Sequence, residues 1–358
     1  MVIRIGMIGL TASDDAWSVL AHVKPLLQEP LSSKYKITAL VTTSPESAAA
    51  SAKRWGVPLD KAYTNVEDIA NDIYVDLVVV NVKLPLHRNL ALPALKAGKN
   101  VFVEWPLATT MDEVSELQAA AKESGSKTFV GLQARTAPFI QKAKVIIDSG
   151  ALGKIVSSTI VGIDNLLLYL PPKHDYEHDK RNRANISMIT SGHILDAQAF
   201  LLGEYRHLKA TTNCFFPQVT TPHHTHTVNR DAPDSFMVQG VLMSGATASL
   251  SLVLTTSSNP SEFTWTISGE KGTLRMEGPN INIQMVGPKL SWYHDGAWEH
   301  VALRESLGFG QVGDLYQAIA AGDHIPGSIV DFDGAALRQR MLEACWKSDE
   351  QGTQESYL

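Results

Sequence analysis

The sequence has few cysteines, no long apolar run and no cluster of basic residues, and each absence removes a class of function. Its 358 residues include two cysteines, Cys214 and Cys345, which lie far apart and match no metal-ligand spacing. This usage is typical of a reduced intracellular protein, so we expect a cytoplasmic location. No apolar stretch approaches the roughly 18 residues that a membrane helix needs, so we expect no membrane partner.

The charge balance argues against nucleic acid as a partner. The formal net charge is −6, and the Lys and Arg residues form no basic stripe of the kind that binds phosphate backbones. Apolar residues make up 44% of the chain and charged residues 19%, which is an ordinary globular balance. The length is sufficient for two domains with separate cores.

The first third of the chain alternates strand and helix patterns. Strands are predicted over 2–10, 35–42, 75–82, 100–104 and 127–133, with helices between them, the first over 14–27. Repeated β-α-β units with right-handed crossovers predict a doubly wound parallel sheet, here a dinucleotide-binding Rossmann domain over residues 1–135.

The pattern changes in the rest of the chain, where short strand-like runs dominate. They cover 154–164, 234–242, 247–256, 263–269, 272–277 and 280–286. The helical exceptions are 138–150, 186–203 and a late helix near 313–322. This succession predicts an open, mostly antiparallel sheet in a substrate and oligomerisation domain over 136–358. The polar C-terminal segment is expected to be frayed.

The turn after the first strand has one glycine where a dinucleotide fingerprint has three. The Gly-x-Gly-x-x-Gly pattern lets the backbone approach a pyrophosphate, and here only Gly9 of the 9–14 segment matches. The hydroxyls of Thr11 and Ser13 can still donate to phosphate, so the candidate cofactor residues of this turn are Gly9, Leu10, Thr11 and Ser13. Asp14 either caps the helix or repels pyrophosphate. A plain strand-turn-helix junction is the alternative.

The end of the second strand carries hydroxyls in place of a carboxylate. An NAD site usually has Asp or Glu there to hold the ribose, and this chain has Thr42, Thr43 and Ser44. Three hydroxyls without a repelling carboxylate favour NADP(H), with NAD(H) as the alternative.

Four segments together resemble one known family. They are the predicted helix that begins near His87, "AGKNVFVEWP" at 97–106, "VGLQAR" at 130–135 and "SGHILD" at 191–196. With them, most of the chain is similar to the glucose–fructose oxidoreductase/inositol dehydrogenase (Gfo/Idh/MocA) family. The resemblance implies a Rossmann domain followed by an α/β domain with an open antiparallel sheet, whose exposed face often supports homodimers.

The resemblance also identifies two departures from the family's site. The family's strand exit reads Glu-Lys-Pro, and its lysine contacts nicotinamide and substrate; Glu104 and Pro106 match, but Trp105 takes the lysine position. On the second-domain helix the family's Asp is Ile189, while His193, four residues later on the same face, matches. Two of three proton-handling groups are absent, and neither replacement can act as a base.

The resemblance suggests roles for the remaining groups. Glu104 would position the turn, Trp105 would shape the nicotinamide and substrate pocket, and His193 would relay a proton. Asp196 or Tyr176 would assist His193. Packing is the alternative role for both Trp105 and His193. The other candidate cofactor-binding residues, at strand ends, are Asn81, Val82, His87 and Gln133.

Two branches of the family fit the aromatic residue at the strand exit. One resembles the fungal galactose-regulon repressor, a non-catalytic relative that keeps a dinucleotide site, through "EWP" and the eroded turn "GLTASDDAW". The other resembles biliverdin reductase, in which hydride adds to a conjugated carbon. The cluster His223, His224 and His226 has no regular ligand spacing, and no metal is expected.

Three hypotheses about function follow. The first is an NAD(P)-dependent oxidoreductase of atypical mechanism that reduces a carbonyl or conjugated carbon of a hydrophobic small molecule. The second is a repressor-like sensor whose dinucleotide modulates a protein partner. The third is a non-redox isomerase or cyclase that uses the same cleft. A homodimer is expected in each case.

Overall fold

The computed structural model describes residues 2–221, 223, 226–257, 260–322 and 324–358. Two compact units divide the chain: Met1–Thr136 with Ser306–Ala336, and Ala137–Glu305 with Leu337–Leu358. The sequence prediction counted 306–336 with the second domain, and here the structure differs. Backbone bonds hold this segment in the first unit, for example from Val130 N to Val330 O at 2.8 Å.

The first unit contains, in the described part of the chain, a six-stranded parallel sheet of order β3-β2-β1-β4-β5-β6. This order is the doubly wound one, with the topological switch between β1 and β4, and it confirms the predicted Rossmann sheet. The strands are β1 (Ile3–Ile8), β2 (Tyr35–Val41), β3 (Ala62–Tyr63), β4 (Leu77–Val80), β5 (Asn100–Val103) and β6 (Thr128–Val130). All four residues of β4 are buried, as a strand covered on both faces requires.

Helices cover the sheet of the first unit. They are α1 (Lys24–Leu26), α2 (Pro45–Trp55), α3 (Val66–Asn71), α4 (His87–Lys96), α5 (Met111–Ser124) and, from the late segment, α8 (Val312–Ala321). Caps fix their ends: Ser44 accepts from Ser47 N at α2 and Thr110 accepts from Glu113 N at α5, and Gly56 and Gly125 end these two helices.

The first helical segment differs from its prediction. A π-helix over Ser18–Val23 runs directly into α1, whereas 14–17 form a turn. A π-helix closes i to i+5 hydrogen bonds, so residues five apart in sequence lie one turn apart. Trp17, the N-cap, and His22 are such a pair.

The second unit holds, over the described ranges, an eight-stranded sheet of order β16-β15-β14-β13-β7-β12-β11-β8. Its neighbours are antiparallel except for the parallel pair β7 and β12, so the predicted mostly antiparallel sheet is confirmed. The strands are β7 (Ile155–Asp164), β8 (Tyr205–Asn213), β11 (Ser235–Leu242), β12 (Thr247–Leu254), β13 (Glu262–Gly269), β14 (Thr273–Gly278), β15 (Lys289–His294) and β16 (Ala297–His300). A separate ribbon pairs β9 (Gln218–Val219) with β10 (Val228–Asn229).

The predicted strand over 280–286 is wrong. Ile281 and Ile283 are fully buried, which explains the alternating pattern. However, Asn280 Oδ1 accepts from Asn282 N, and Asn282 O accepts from Met285 N, so local turns replace the sheet ladder. β14 pairs instead with β15, and β16 forms that edge of the sheet.

The sheet of the second unit has one buried and one exposed face. Its helices are α6 (Pro138–Asp148) and α7 (Ile189–Leu202), and α9 (Phe332–Gln351) continues the chain from the first unit. Val161, Ser251 and Met237 are register neighbours on the exposed face, and Val161 and Met237 are 48% and 52% exposed. None of the helices over the described ranges combines the length and apolar content that a bilayer span requires.

The C-terminal segment is ordered, contrary to the expected fraying. Leu208 and Glu355 exchange two backbone hydrogen bonds of 2.8 and 2.9 Å. Tyr357 donates its hydroxyl to Glu204 Oε2 at 2.6 Å and accepts from Tyr205 N at 2.9 Å. These tertiary bonds, which no local pattern reveals, fix the segment.

Candidate functional site

The Gly9 turn lies at the carboxyl end of β1, beside β4. Gly9 has φ +88°, and a Cβ at this position would lie 2.2 Å from the backbone oxygen of Asn81. Only glycine fits such an approach. The turn therefore brings two strand ends together at the switch point, where open α/β sheets bind their ligands.

Asn81 provides a polar group at this point. Its Nδ2 is buried, and within the described part of the chain it has no hydrogen-bond acceptor. A buried donor without an acceptor costs free energy unless a ligand or water accepts from it. A phosphate, ribose or carboxamide oxygen of a dinucleotide would satisfy it, so the residues at this edge fit the expected cofactor. Leu10, next to Gly9, is fully buried and offers only its backbone.

The hydroxyls of the Gly9 turn are partly engaged with the chain itself. Thr11 Oγ1 accepts from Ser13 N at 3.2 Å, and Ser13 Oγ donates to Asp15. Asp14 pairs with Arg54 Nη2 at 3.0 Å and makes no cap to the π-helix. The capping role is therefore wrong, and Asp14 forms an exposed ion pair with Arg54; its repulsion of pyrophosphate stays a prediction.

The three hydroxyls after β2 are not equivalent. Thr42 Oγ1 donates to Ser44 O at 3.1 Å and lies 2.7 Å from Ser47 Oγ. Ser44 caps α2 and accepts from Ser47 N at 3.2 Å. Thr43 is exposed. Of the three predicted phosphate ligands, Thr42 and Ser44 serve the start of α2, and Thr43 is the one on the surface.

Glu104 forms a network at the carboxyl end of β5. Its Oε1 accepts from Trp17 Nε1 at 3.1 Å and lies 2.5 Å from His22 Nε2. His22 Nδ1 lies 2.8 Å from the hydroxyl of Tyr316 on α8. A Cβ at Gly131 would lie 2.5 Å from Glu104 Oε2, so this glycine leaves room for the carboxylate.

Trp17, His22 and Tyr316 were missed in the sequence analysis. An α-helical period does not place residues 17 and 22 on one side, and only the π-helix aligns them. Tyr316 joins from a segment nearly 300 positions away. The signal available in the sequence was a lone histidine five residues after a tryptophan, which has many ordinary explanations.

Trp105 is 5% exposed, and its peptide bond to Pro106 is cis. Its indole is therefore largely enclosed, which favours the packing role over a ring that lies open to ligand. His87 is 1% exposed, with Nε2 3.0 Å from Val82 O and Nδ1 2.9 Å from Pro106 O. His87 thus links the loops that follow β4 and β5 from a buried position. It exposes almost no surface to a ligand, whereas the sequence predicted that it lines the cofactor site. Burial lowers the pKa of His87, against the opposing effect of the two carbonyls.

Gln133 begins the short 3₁₀-helix Gln133–Thr136 and is 1% exposed. Its Nε2 donates to Gly310 O at 3.0 Å, and its Oε1 is buried without a hydrogen-bond donor among the described residues. Gln133 thus connects the end of β6 to the 308–314 segment. A hydrogen-bond donor on a ligand would satisfy its Oε1.

The remaining predicted residues lie in the second unit. His193 is on α7 and 4% exposed. Asp196, also on α7, is fully buried and pairs with Arg338 Nε at 3.1 Å; its role as a helper of His193 stays a prediction. Tyr176 lies in the 3₁₀-helix Pro172–His178, and burial raises its pKa. A raised pKa keeps the phenol protonated, so it can donate but not act as a base.

The described residues contain no group of three His, Cys, Asp or Glu side chains arranged to hold a metal. His224, one of the three clustered histidines, lies outside the described residues. Burial raises the pKa of both cysteine thiols.

The strand order and the glycine turn at its switch point define the chain as a dinucleotide-binding Rossmann protein. A model of an oxidoreductase family with an NAD-binding Rossmann fold matches residues 3–132, and a model of the Gal80p C-terminal domain matches 138–278. The chain belongs to this Gfo/Idh/MocA oxidoreductase family.

Of two similar proteins, one is named a dehydrogenase and the other a regulatory protein. Dehydrogenase aclE of Aspergillus oryzae is 39% identical over 99% of this chain and 98% of its own length. The galactose/lactose metabolism regulatory protein GAL80 of Saccharomyces cerevisiae is 28% identical over 77% of this chain and 67% of its own. The crystal structure of a super-repressor mutant of Gal80p from the same yeast has a TM-score of 0.88 at 25% identity, covering 99% of this chain and 98% of that one.

Proposed function

We propose that the protein is an NAD(P)-dependent oxidoreductase that reduces a carbonyl or conjugated carbon of a hydrophobic small molecule. The observation that carries the proposal is the buried Asn81 amide without an acceptor, beside the Gly9 close approach at the switch point. The full-length similarity to a dehydrogenase supports turnover over mere binding.

NADP(H) is the proposed preference. No carboxylate follows β2, and Thr43 is exposed there. The bound dinucleotide would supply the hydride. Gly9, Asn81 and Gln133 would hold it at the strand ends, and the hydroxyls of Thr11 and Ser13 would exchange their local partners for phosphate oxygens.

The mechanism is atypical because Trp105 and Ile189 replace the family's lysine and aspartate. We propose that His193, which is retained, relays a proton between solvent and the group that gives it to the substrate. Tyr176 is a candidate hydrogen-bond donor in the same unit. We also propose that two copies associate through the exposed sheet face of the second unit, around Val161 and Met237.

A repressor-like sensor is the second candidate. The match of 138–278 to the Gal80p C-terminal domain and the similarity to a galactose/lactose regulatory protein favour it. In that case dinucleotide binding would alter affinity for a protein partner, without turnover.

Titration of NADPH and NADH, followed by nicotinamide fluorescence, tests the proposal. We expect NADPH to bind more tightly than NADH and to reduce members of a carbonyl and enone panel, with the absorbance of the reduced nicotinamide falling. His193→Ala should lower turnover and leave the dinucleotide Kd unchanged. Binding of neither dinucleotide at millimolar levels would reject both candidates, whereas tight binding without turnover would select the sensor.

A further inference from the structure

We infer that Glu104 performs the proton transfer that the family's lysine performs at this strand exit, and that His22 and Tyr316 position and tune it. This inference rests on the proposed oxidoreductase function. Its basis is the hydrogen-bonded series Glu104, His22 and Tyr316 in the first unit.

The carboxylate lies at the place where the chemistry is expected. Glu104 directly follows β5, and its backbone N–H donates to Val80 O of the neighbouring strand β4 at 3.3 Å. Both strands end at the carboxyl edge of the sheet, where Gly9 and Asn81 also lie. The neighbouring Trp105 has no proton to exchange with a substrate oxygen, so the nearest titratable side chain in sequence is Glu104.

The hydrogen bonds define one direction along the series. Burial raises the pKa of Tyr316 well above its ordinary value, so its phenol keeps its proton and donates to His22 Nδ1. The other ring nitrogen, Nε2, then carries the hydrogen and donates to Glu104 Oε1. This arrangement satisfies both ring nitrogens of His22.

Access to solvent or ligand differs along the series. The side chain of Glu104 is 13% exposed, whereas that of His22 is 0% exposed, and Tyr316 is also fully buried. Among these three groups, protons therefore enter and leave through Glu104. Titratable groups near the series include Tyr35, whose hydroxyl donates to Tyr316 O at 2.7 Å, and His87, whose pKa is affected by the charge of Glu104.

The step balances with the reduced dinucleotide as the co-reactant. When bound, the reduced dinucleotide would supply a hydride, with its two electrons, to the carbonyl carbon. The protonated carboxyl of Glu104 gives its proton to the carbonyl oxygen as the C=O π bond breaks, leaving an alcohol and a carboxylate. The His22 Nε2–H bond stabilises that carboxylate, and Glu104 recovers a proton from water after product leaves.

The positioning role is tested first in the protein without cofactor. NMR of ¹⁵N-histidine-labelled protein, with His22→Gln to assign the His22 signals, reports the tautomer of His22. We expect the hydrogen on Nε2. Glu104→Gln should shift the Nε2 signal, because it replaces the acceptor of that hydrogen, and Tyr316→Phe should perturb Nδ1. A hydrogen on Nδ1, or His22 signals insensitive to Glu104→Gln, would overturn the series.

Turnover tests the proton transfer itself, with NADPH and the probes 4-nitrobenzaldehyde and trans-cinnamaldehyde. We expect Glu104→Gln to lower kcat by about 100-fold or more, with the NADPH Kd near its wild-type value, and Glu104→Asp to restore part of the loss. His22→Gln should shift the pH profile of kcat. Glu116→Gln, an exposed glutamate of the same unit that pairs with Arg88, is the matched control and should behave as wild type.

The outcomes separate this role from the proposed function. Normal wild-type turnover with an unaffected Glu104→Gln variant overturns the role of Glu104 alone. Wild-type protein that binds NADPH and reduces neither probe overturns both. If Glu104→Gln loses its folded thermal transition, Glu104→Asp and His22→Gln decide the question: an unchanged pH profile in both overturns the proposal.

Discussion

The imidazole of His87 lies between two backbone carbonyls, with Nε2 3.0 Å from Val82 O and Nδ1 2.9 Å from Pro106 O. Val82 follows β4, and Pro106 follows the Glu-Trp dipeptide at the end of β5. A single buried ring thus holds the two strand exits that carry Asn81 and Glu104. These two contacts hold both strand exits, and with them Asn81 and Glu104, in position at the edge of the sheet.

Removal of this bridge should destabilise the first unit and loosen the cofactor site. His87→Ala leaves a cavity and removes the ring N–H that one of the two carbonyls accepts, and we expect a loss of about 2–4 kcal/mol in the free energy of unfolding. His87→Gln keeps one donor and should lose less. Urea unfolding of both variants measures the difference, and equal losses would contradict the bridging role.

His87 also makes the free energy of unfolding depend on pH in a predictable direction. Burial lowers the pKa of His87 in the folded protein, so below the unfolded-state pKa of about 6.5 the unfolded chain binds the proton and the folded chain resists it. The stabilisation by His87 is therefore complete above that pH and is lost as the pH falls. The urea midpoint of wild type should decrease faster than that of His87→Gln between neutral and mildly acid pH; parallel curves would refute this.

Substitutions at Gly9 and Gly56 provide a matched test of the role of the turn after β1. Both have positive φ, but a Cβ at Gly9 would lie 2.2 Å from Asn81 O, while nothing lies within 4 Å of one at Gly56. Gly56→Ala should cost about 1 kcal/mol, the left-handed penalty alone. Gly9→Ala should cost more and also weaken NADPH binding. Equal effects of the two substitutions on fluorescence titration would show that the turn does not form the cofactor site.

The features that sequence predicts here depend on local pattern, and those it misses depend on distant partners. The strand predicted over 75–82 and the alternation of strands and helices around it were identified correctly, because each signal is contained in its own segment. Three features depend on tertiary contacts and were not predicted. They are the membership of 306–336 in the first unit, the alignment of Trp17 with His22 in the π-helix, and the bond of Tyr316 to His22. For the same reason, the alternation at Ile281 and Ile283 suggested a strand, although the asparagines between and before them close turns.

Tyr357 tests the ordering of the C-terminal segment. Its hydroxyl donates to Glu204 and accepts from Tyr205 N, and Glu204 also accepts from Arg338 Nη2 at 2.9 Å. Tyr357→Phe leaves a buried backbone N–H without an acceptor, and we expect a loss of about 1–3 kcal/mol. Thermal unfolding measures it. Leu358→Ala, at a side chain 63% exposed, is the control and should leave the transition unchanged.

The exposed face of the second sheet gives a test of self-association. Thr264, Val161, Ser251, Met237 and Thr211 form one row across five strands, with no charge among them. In an isologous dimer each copy presents the same row to its partner, so a charge placed there meets its own copy. Val161→Glu combined with Met237→Glu should give a monomer by light scattering, because four carboxylates would be brought together and desolvated. Val145→Glu, on α6 and equally exposed at 53%, should leave the mass unchanged. A double variant that keeps the wild-type mass would place the interface elsewhere, because paired like charges at the centre of an apolar interface oppose association.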